Sequence, residues 1–125
     1  MAQRSVPLVV NVPPGTPVSA PATFNLSFPS ADVERIEVRI PPGPNGTVGF
    51  SINNGGGNFI PDTNGSWIIG NDDTFQWPLD DAPNNGNWEV VAYNTDVLQH
   101  TIYFYFWVNN LAVTNTPDSS GMIGL

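Results

Sequence analysis

The chain has 125 residues, enough for one domain with its own core, and contains no cysteine, so no disulfide framework or zinc–thiolate site is available. Eleven acidic residues stand against three arginines and no lysine, a formal net charge of −8. Phosphate backbones and anionic lipid surfaces are held by Lys and Arg, so this balance argues against nucleic acid and membrane as partners.

Only 11% of the residues are charged, against about 25% in a typical soluble domain. Asn, Thr, Ser, Gly and Pro fill the polar positions instead. Two readings follow: a surface used partly for protein neighbours, or many short strands whose turns demand these residues. No apolar run approaches the roughly 20 residues of a membrane span. The N-terminal stretch lacks an apolar h-region and is broken by prolines, so a secretory signal peptide is not expected.

Residues 1–21 carry Pro7, Pro13, Pro14, Pro17 and Pro21. Proline removes backbone donors and forbids helix and central strand. The stretch therefore reads as an extended arm, and the apolar Val6, Leu8 and Val10 make it a candidate to dock on a neighbouring chain. An edge strand at Ser5–Asn11 within the same molecule is the other reading. Residues 22–110 form the domain proper. In Ala22–Phe28, Phe24, Leu26 and Phe28 alternate with Thr23, Asn25 and Ser27. In Val33–Ile40, Ile36, Val38 and Ile40 share one face, and Arg35, Glu37 and Arg39 share the other. Pro41–Gly46 is a loop. Thr47–Asn53 points Val48, Phe50 and Ile52 inward, and Asn54–Gly57 is a hairpin turn. Short strands follow at Asn58–Pro61, Ser66–Ile69 and Thr74–Trp77, separated by turns at Asp62–Gly65 and Gly70–Asp73. A loop over Pro78–Gly86 leads to the most strongly patterned part of the chain.

Residues 87–110 hold two apolar runs, Trp88–Tyr93 and Thr101–Val108, around the polar break Asn94-Thr95-Asp96. Both are rich in the β-branched and aromatic residues that suit a pleated, half-buried surface, and they read as a central antiparallel hairpin. Ile102, Phe104, Phe106 and Val108 fall on one face and read as core. Tyr103, Tyr105 and Trp107 fall on the other. Their hydroxyls and indole N–H can meet water or a partner, so they join Val6, Leu8 and Val10 as candidate interface residues. Residues 111–125 read as a tail, disordered alone or ordered by docking. About eight short strands with regular turn signals and no helical periodicity predict an all-β fold. The form expected is a two-sheet antiparallel β-sandwich, jelly-roll or Ig-like.

Residues able to carry chemistry are few. His100 is the sole histidine, no G-x-S-x-G spacing occurs, and a backbone-bonded turn histidine accounts for it. Asp72-Asp73 and Asp80-Asp81, with Asp62, are turn-capping acids in the plain reading and a loop calcium site in the sharper one. The EF-hand spacing is absent. No metal, cofactor or catalytic set is expected, and the chain is not expected to be an enzyme. Trp67, Trp77, Trp88 and Trp107 with the tyrosines suit either a sugar platform or core packing with a subunit interface.

Several segments together resemble a group of small tailed-bacteriophage virion proteins, including those of actinobacteriophages. They are Ile40-Pro41-Pro42-Gly43, Gly46-Thr47-Val48-Gly49-Phe50, Phe59-Ile60-Pro61, Trp67 through Asp73, Gln76-Trp77-Pro78-Leu79, Asn87-Trp88-Glu89-Val90, Ala92-Tyr93-Asn94-Thr95-Asp96 and His100-Thr101-Ile102. The likeness spans roughly residues 33–110. It implies a virion structural protein assembled in the host cytoplasm, most simply a capsid-associated decoration or minor capsid β-sandwich attached through extended termini. Its partners would be other virion proteins and further copies of itself. A carbohydrate- or receptor-binding module of a tail or fibre is the alternative, with surface carbohydrate as its partner. The likeness carries over no catalytic residue.

Overall fold

Period-2 alternation produces nine strands: β1 (Gln3–Val12), β2 (Ala22–Ser27), β3 (Asp32–Ile40), β4 (Val48–Asn53), β5 (Asn58–Ile60), β6 (Ile68–Ile69), β7 (Asp73–Pro78), β8 (Asn87–Asn94) and β9 (His100–Asn109). They are seen in a computed structural model that describes residues 3–27, 32–54, 58–79 and 87–109. All pairings are antiparallel, and there is no helix among the described residues. One sheet has the order β1-β9-β3-β7. The other has the order β2-β8-β4-β5, with β6 also paired to β4. The fold is an all-β sandwich, as the alternation predicts.

The inner faces meet in one core. Ile36, Val38 and Ile40 of β3 and Ile102, Phe104, Phe106 and Val108 of β9 are fully buried from one sheet. Val48, Phe50 and Ile52 of β4 and Val90 and Ala92 of β8 are fully buried from the other, with Trp88 at 2% exposure. Rings interlock across the layers: Phe50 stands edge-on to Phe104 at 5.1 Å, and Trp88 lies 5.5 Å from Phe106. Each such side chain contributes about 1.5–3 kcal/mol by leaving water. A bulge interrupts β3. Val33 pairs with Val108 and Arg35 with Trp107, so Glu34 is the extra residue. The bulge lets Val33 and Ile36 both face inward at a spacing the simple alternation forbids, and the Glu34 carbonyl accepts from the Leu79 N–H at 2.9 Å.

Two expectations are corrected. The first is the docking arm. Residues 3–12 pair with β9 along their whole length, from Gln3 opposite Asn109 to Val12 opposite His100. Val10 and Val12 are fully buried, and Val6 and Leu8 pack against the core. The prolines permit this because of where they fall. Pro7 lies in an edge strand, where a missing N–H is tolerated, and Pro13, Pro14, Pro17 and Pro21 lie between strands. The second is the central hairpin. β8 and β9 do not pair; they belong to different sheets. Residues 95–99 carry the chain across the end of the sandwich. The tail at 111–125 and the Asp80-Asp81 pair lie outside the described residues.

Candidate interaction surface

The strand alternation that buries Phe104 and Phe106 pushes Tyr103, Tyr105 and Trp107 to the outer face of the β1-β9-β3-β7 sheet, where all three are half-buried. The register gives each of them a neighbour on either side. Tyr103 lies between Val9 and Arg39, Tyr105 between Pro7 and Glu37, and Trp107 between Ser5 and Arg35. β7 adds Thr74 beside Arg39, Gln76 beside Glu37 and Pro78 beside Arg35. Val9 is 54% exposed. The result is a four-strand platform with aromatic residues along its middle and polar groups on the β3 and β7 side.

The charges on this platform are tied down. The Arg35 guanidinium lies over the Trp107 ring, 4.7 Å from its centre, a cation–π contact that orients both groups. The Trp107 indole N–H donates to Glu37 Oε1 at 3.3 Å. Arg39 pairs with Asp72, and both side chains remain substantially exposed, so the pair fixes geometry more than it adds stability. These two arginines and two acids cancel, leaving nine acids and Arg4 to the rest of the chain. The charges beside the aromatic stripe are therefore balanced, within a strongly acidic molecule.

Of the six expected interface residues, Tyr103, Tyr105 and Trp107 are on this face. Val6, Leu8 and Val10 are on the opposite side of β1 and point toward the sandwich, Val10 fully buried and Val6 and Leu8 partly buried against the core, so they do not share this face. Arg35 and Glu37 join this surface without being expected there: their outward alternation is legible in the sequence, but the pairing of β3 with β9 that sets them beside the aromatics is not.

A second cluster sits at the end of the sandwich where β8 passes to β9. Asn94 is fully buried. Its side-chain amide donates to the Val12 and Leu98 carbonyls at 3.1 and 2.8 Å, and its Oδ1 accepts from the Asp96 N–H at 2.9 Å. The Asn94 N–H donates to Thr16 O, and Gly15 N–H to Asp96 O. The Asn94 side chain thus ties β1 to the crossing segment, and backbone hydrogen bonds add the loop that follows β1. His100 Nε2 lies 2.8 Å from Asp96 Oδ2. The hydrogen bond with His100 first, then the one from the Val97 N–H, holds the Asp96 carboxyl below the usual carboxylate range. No hydroxyl nucleophile is bonded to His100 among the described residues, and the pair reads as a structural clasp. The Asn-Thr-Asp…His segment, the most distinctive part of the sequence, is explained by this crossing.

The paired acids of the Gly70–Asp73 turn serve separate partners. Asp72 meets Arg39, while Asp73 Oδ2 accepts from the Asn71 N–H at 2.7 Å. Asn71 Oδ1 in turn accepts from the Gly43 and Asn45 N–H groups at 2.8 and 3.1 Å. This is turn capping of the kind short polar side chains provide. Among the described residues no three His, Cys, Asp or Glu side chains converge as a metal cluster would.

The four tryptophans do not form one platform. Trp88 is in the core against Phe59 and Phe106, and Trp77 stacks on Phe75 at 5.6 Å beside Phe50. Trp67 stands edge-on to Tyr93 at 4.9 Å on the second sheet, where the Tyr93 ring covers Gly49. Only Trp107 shares a face with Tyr103 and Tyr105.

No family model and no curated protein sequence matches the chain. Among solved structures, the chain is similar to PliG of Aeromonas hydrophila, described as a periplasmic lysozyme inhibitor of g-type lysozyme. The identity is 12%, 86% of each chain is covered, and the TM-score is 0.43. A likeness of that degree carries no argument about function.

Proposed function

We propose that the chain is a non-catalytic structural protein of a bacteriophage virion, a capsid-associated decoration or minor capsid β-sandwich. It assembles in the host cytoplasm beside other virion proteins and further copies of itself. The observation that carries this reading is the outer face of the β1-β9-β3-β7 sheet. Tyr103, Tyr105 and Trp107 form a stripe there, flanked by Arg35 and Glu37, which both contact Trp107, and by Arg39, which pairs with Asp72. Tyr, Trp and Arg are the residues enriched at protein contacts. Charge balance beside the stripe lets this face approach an assembly of acidic subunits without like-charge repulsion. The sequence resemblance to tailed-phage virion proteins supplies the biological setting. Attachment is assigned to this face and not to the N-terminal stretch, because β1 is used by its own sheet.

A carbohydrate- or receptor-binding module is less well supported. A sugar needs an open ring face on which to stack, and the Arg35 guanidinium occupies one face of Trp107. The deciding experiment is quantitative mass spectrometry of purified particles. Hundreds of copies per particle is the expected result. A few copies would move the protein to a tail tip or fibre, and none would remove the virion reading.

A further inference from the structure

The two sheets have four edges among the described residues: β1, β7, β2, and the border formed by β5 with the two-residue β6. Exposed edges invite pairing with another chain, and proteins blunt them with proline, charge or shortness. β1 carries Pro7. β7 opens with Asp73 and closes with Pro78, and β5 is only three residues long. β2 has none of these devices. Its six residues, Ala-Thr-Phe-Asn-Leu-Ser, hold no charge and no proline, and β8 pairs with one side of it only.

The same border of the sandwich is incompletely covered. Phe24 and Leu26 of β2, and Val6 and Leu8 of β1, pack against the core but are only partly buried. Thr23 and Asn25 point outward and are exposed. An unblunted edge beside a half-covered apolar seam is what a strand partner would complete.

We infer that the free edge of β2 pairs antiparallel with β2 of a second copy of this chain, across a two-fold axis at Asn25. Residues directly opposite in an antiparallel pair share a face, so the register can be checked for fit. With Asn25 opposite its own counterpart, Thr23 stands opposite position 27 and Phe24 opposite Leu26. Exposed Asn25 then meets Asn25 on the outer face, and Phe24 meets Leu26 on the inner face, in both halves at once. A two-fold contact must be self-complementary in this way. Charge favours the same occupant. Each chain carries −8, yet no residue of the Ala22–Ser27 edge is charged, so two copies can meet there without opposed carboxylates. The axis also sets the two β1 edges side by side, bringing Val6 and Leu8 of each copy toward the joint. The second sheet becomes continuous through β4-β8-β2 and its two-fold mate.

The inference goes beyond the virion reading and is tested on purified full-length protein. Because the chain has no cysteine, Asn25→Cys introduces a single thiol. Facing residues in an antiparallel pair have Cα atoms about 4.5–5.5 Å apart, inside the disulfide range of about 4.4–6.8 Å. Mild oxidation is expected to give a cross-linked dimer with Asn25→Cys and monomer with Gln76→Cys on the far edge. Light scattering of the wild type is expected to show a concentration-dependent dimer. Asn25→Lys, which puts two ammonium groups opposite each other, is expected to weaken that dimer at least about tenfold while the melting temperature of the monomer is kept. The inference is overturned by any of three results: a wild type monomeric up to millimolar concentration, a dimer untouched by Asn25→Lys, or equal cross-linking of both cysteine variants. Dimerisation that emerges only on deleting residues 111–125 would also overturn it, because the chain's own C-terminal segment would then hold the edge.

Discussion

Replacing Phe104 with alanine tests the sandwich at its centre. Phe104 is fully buried in the middle of β9, opposite Leu8 on one side and Val38 on the other. Its ring meets Phe50 of the facing sheet edge-on at 5.1 Å. A Phe→Ala change in a closed core costs about 3–5 kcal/mol, transfer and cavity terms together. The ring pair accounts for about 0.5–1.5 kcal/mol of that. Against a net stability of about 5–15 kcal/mol, the loss is severe, and the melting temperature should fall by roughly 10–20 °C. Denaturant unfolding followed by tryptophan fluorescence measures it, provided the m-value is unchanged. Tyr105→Ala is the internal control: it is one residue away but on the outer face, and should cost under about 1 kcal/mol. A Phe104→Ala cost below about 1 kcal/mol, or equal costs for the two variants, would refute the assignment of faces. A Phe50→Leu, Phe104→Leu cycle should return a coupling of about 0.5–1.5 kcal/mol.

Three further outcomes are expected. Asn94→Asp removes both amide donors and sets a carboxylate against the Val12 and Leu98 carbonyls, so it should cost at least about 3 kcal/mol in chemical denaturation; less than about 1 kcal/mol would show that the crossing does not depend on this side chain. Gly49→Ala would drive a Cβ into the Tyr93 ring, itself nearly buried, and should cost about 1–3 kcal/mol, with a neutral change showing that the ring swings aside freely. The Asp96 carboxyl is held below the usual carboxylate range by the hydrogen bond with His100 and then by the Val97 N–H. A depressed folded-state pKa gives stability that is present above the unfolded carboxylate value and is lost as pH falls through the folded value. Wild type should therefore lose stability more steeply than Asp96→Asn below about pH 4; parallel acid limbs would contradict this.

Strict alternation makes much of the fold legible in the sequence. Ile102, Phe104, Phe106 and Val108, and likewise Ile36, Val38, Phe50, Trp88 and Val90, are buried where period 2 puts them. What escaped was the choice of partner strand. Proline content excludes a central strand but leaves the edge strand at Ser5–Asn11 open beside the docking arm; the choice between them turns on edge position, a property of the sheet and not of the segment. β8 and β9 are close in sequence and equally apolar, which suggests a hairpin. Their separation into two sheets goes with the buried Asn94, whose side chain reaches the Val12 carbonyl far away in sequence. The Glu34 bulge hides in a run that otherwise alternates. In the interaction surface, the aromatic half is readable from β9 alone. The Arg35–Trp107–Glu37 contacts join residues some seventy positions apart, and only the register reveals them.

The central claim is that the outer face of the β1-β9-β3-β7 sheet attaches the protein to its assembly. The most direct measurement is particle incorporation of a Tyr103→Ser, Tyr105→Ser, Trp107→Ser variant supplied beside the wild-type chain. Core packing is untouched, so the purified variant should still unfold cooperatively. Removing a cluster of aromatic contact residues should lower its copies per particle at least about tenfold relative to wild type. A variant that folds and enters particles at the wild-type level would contradict the claim.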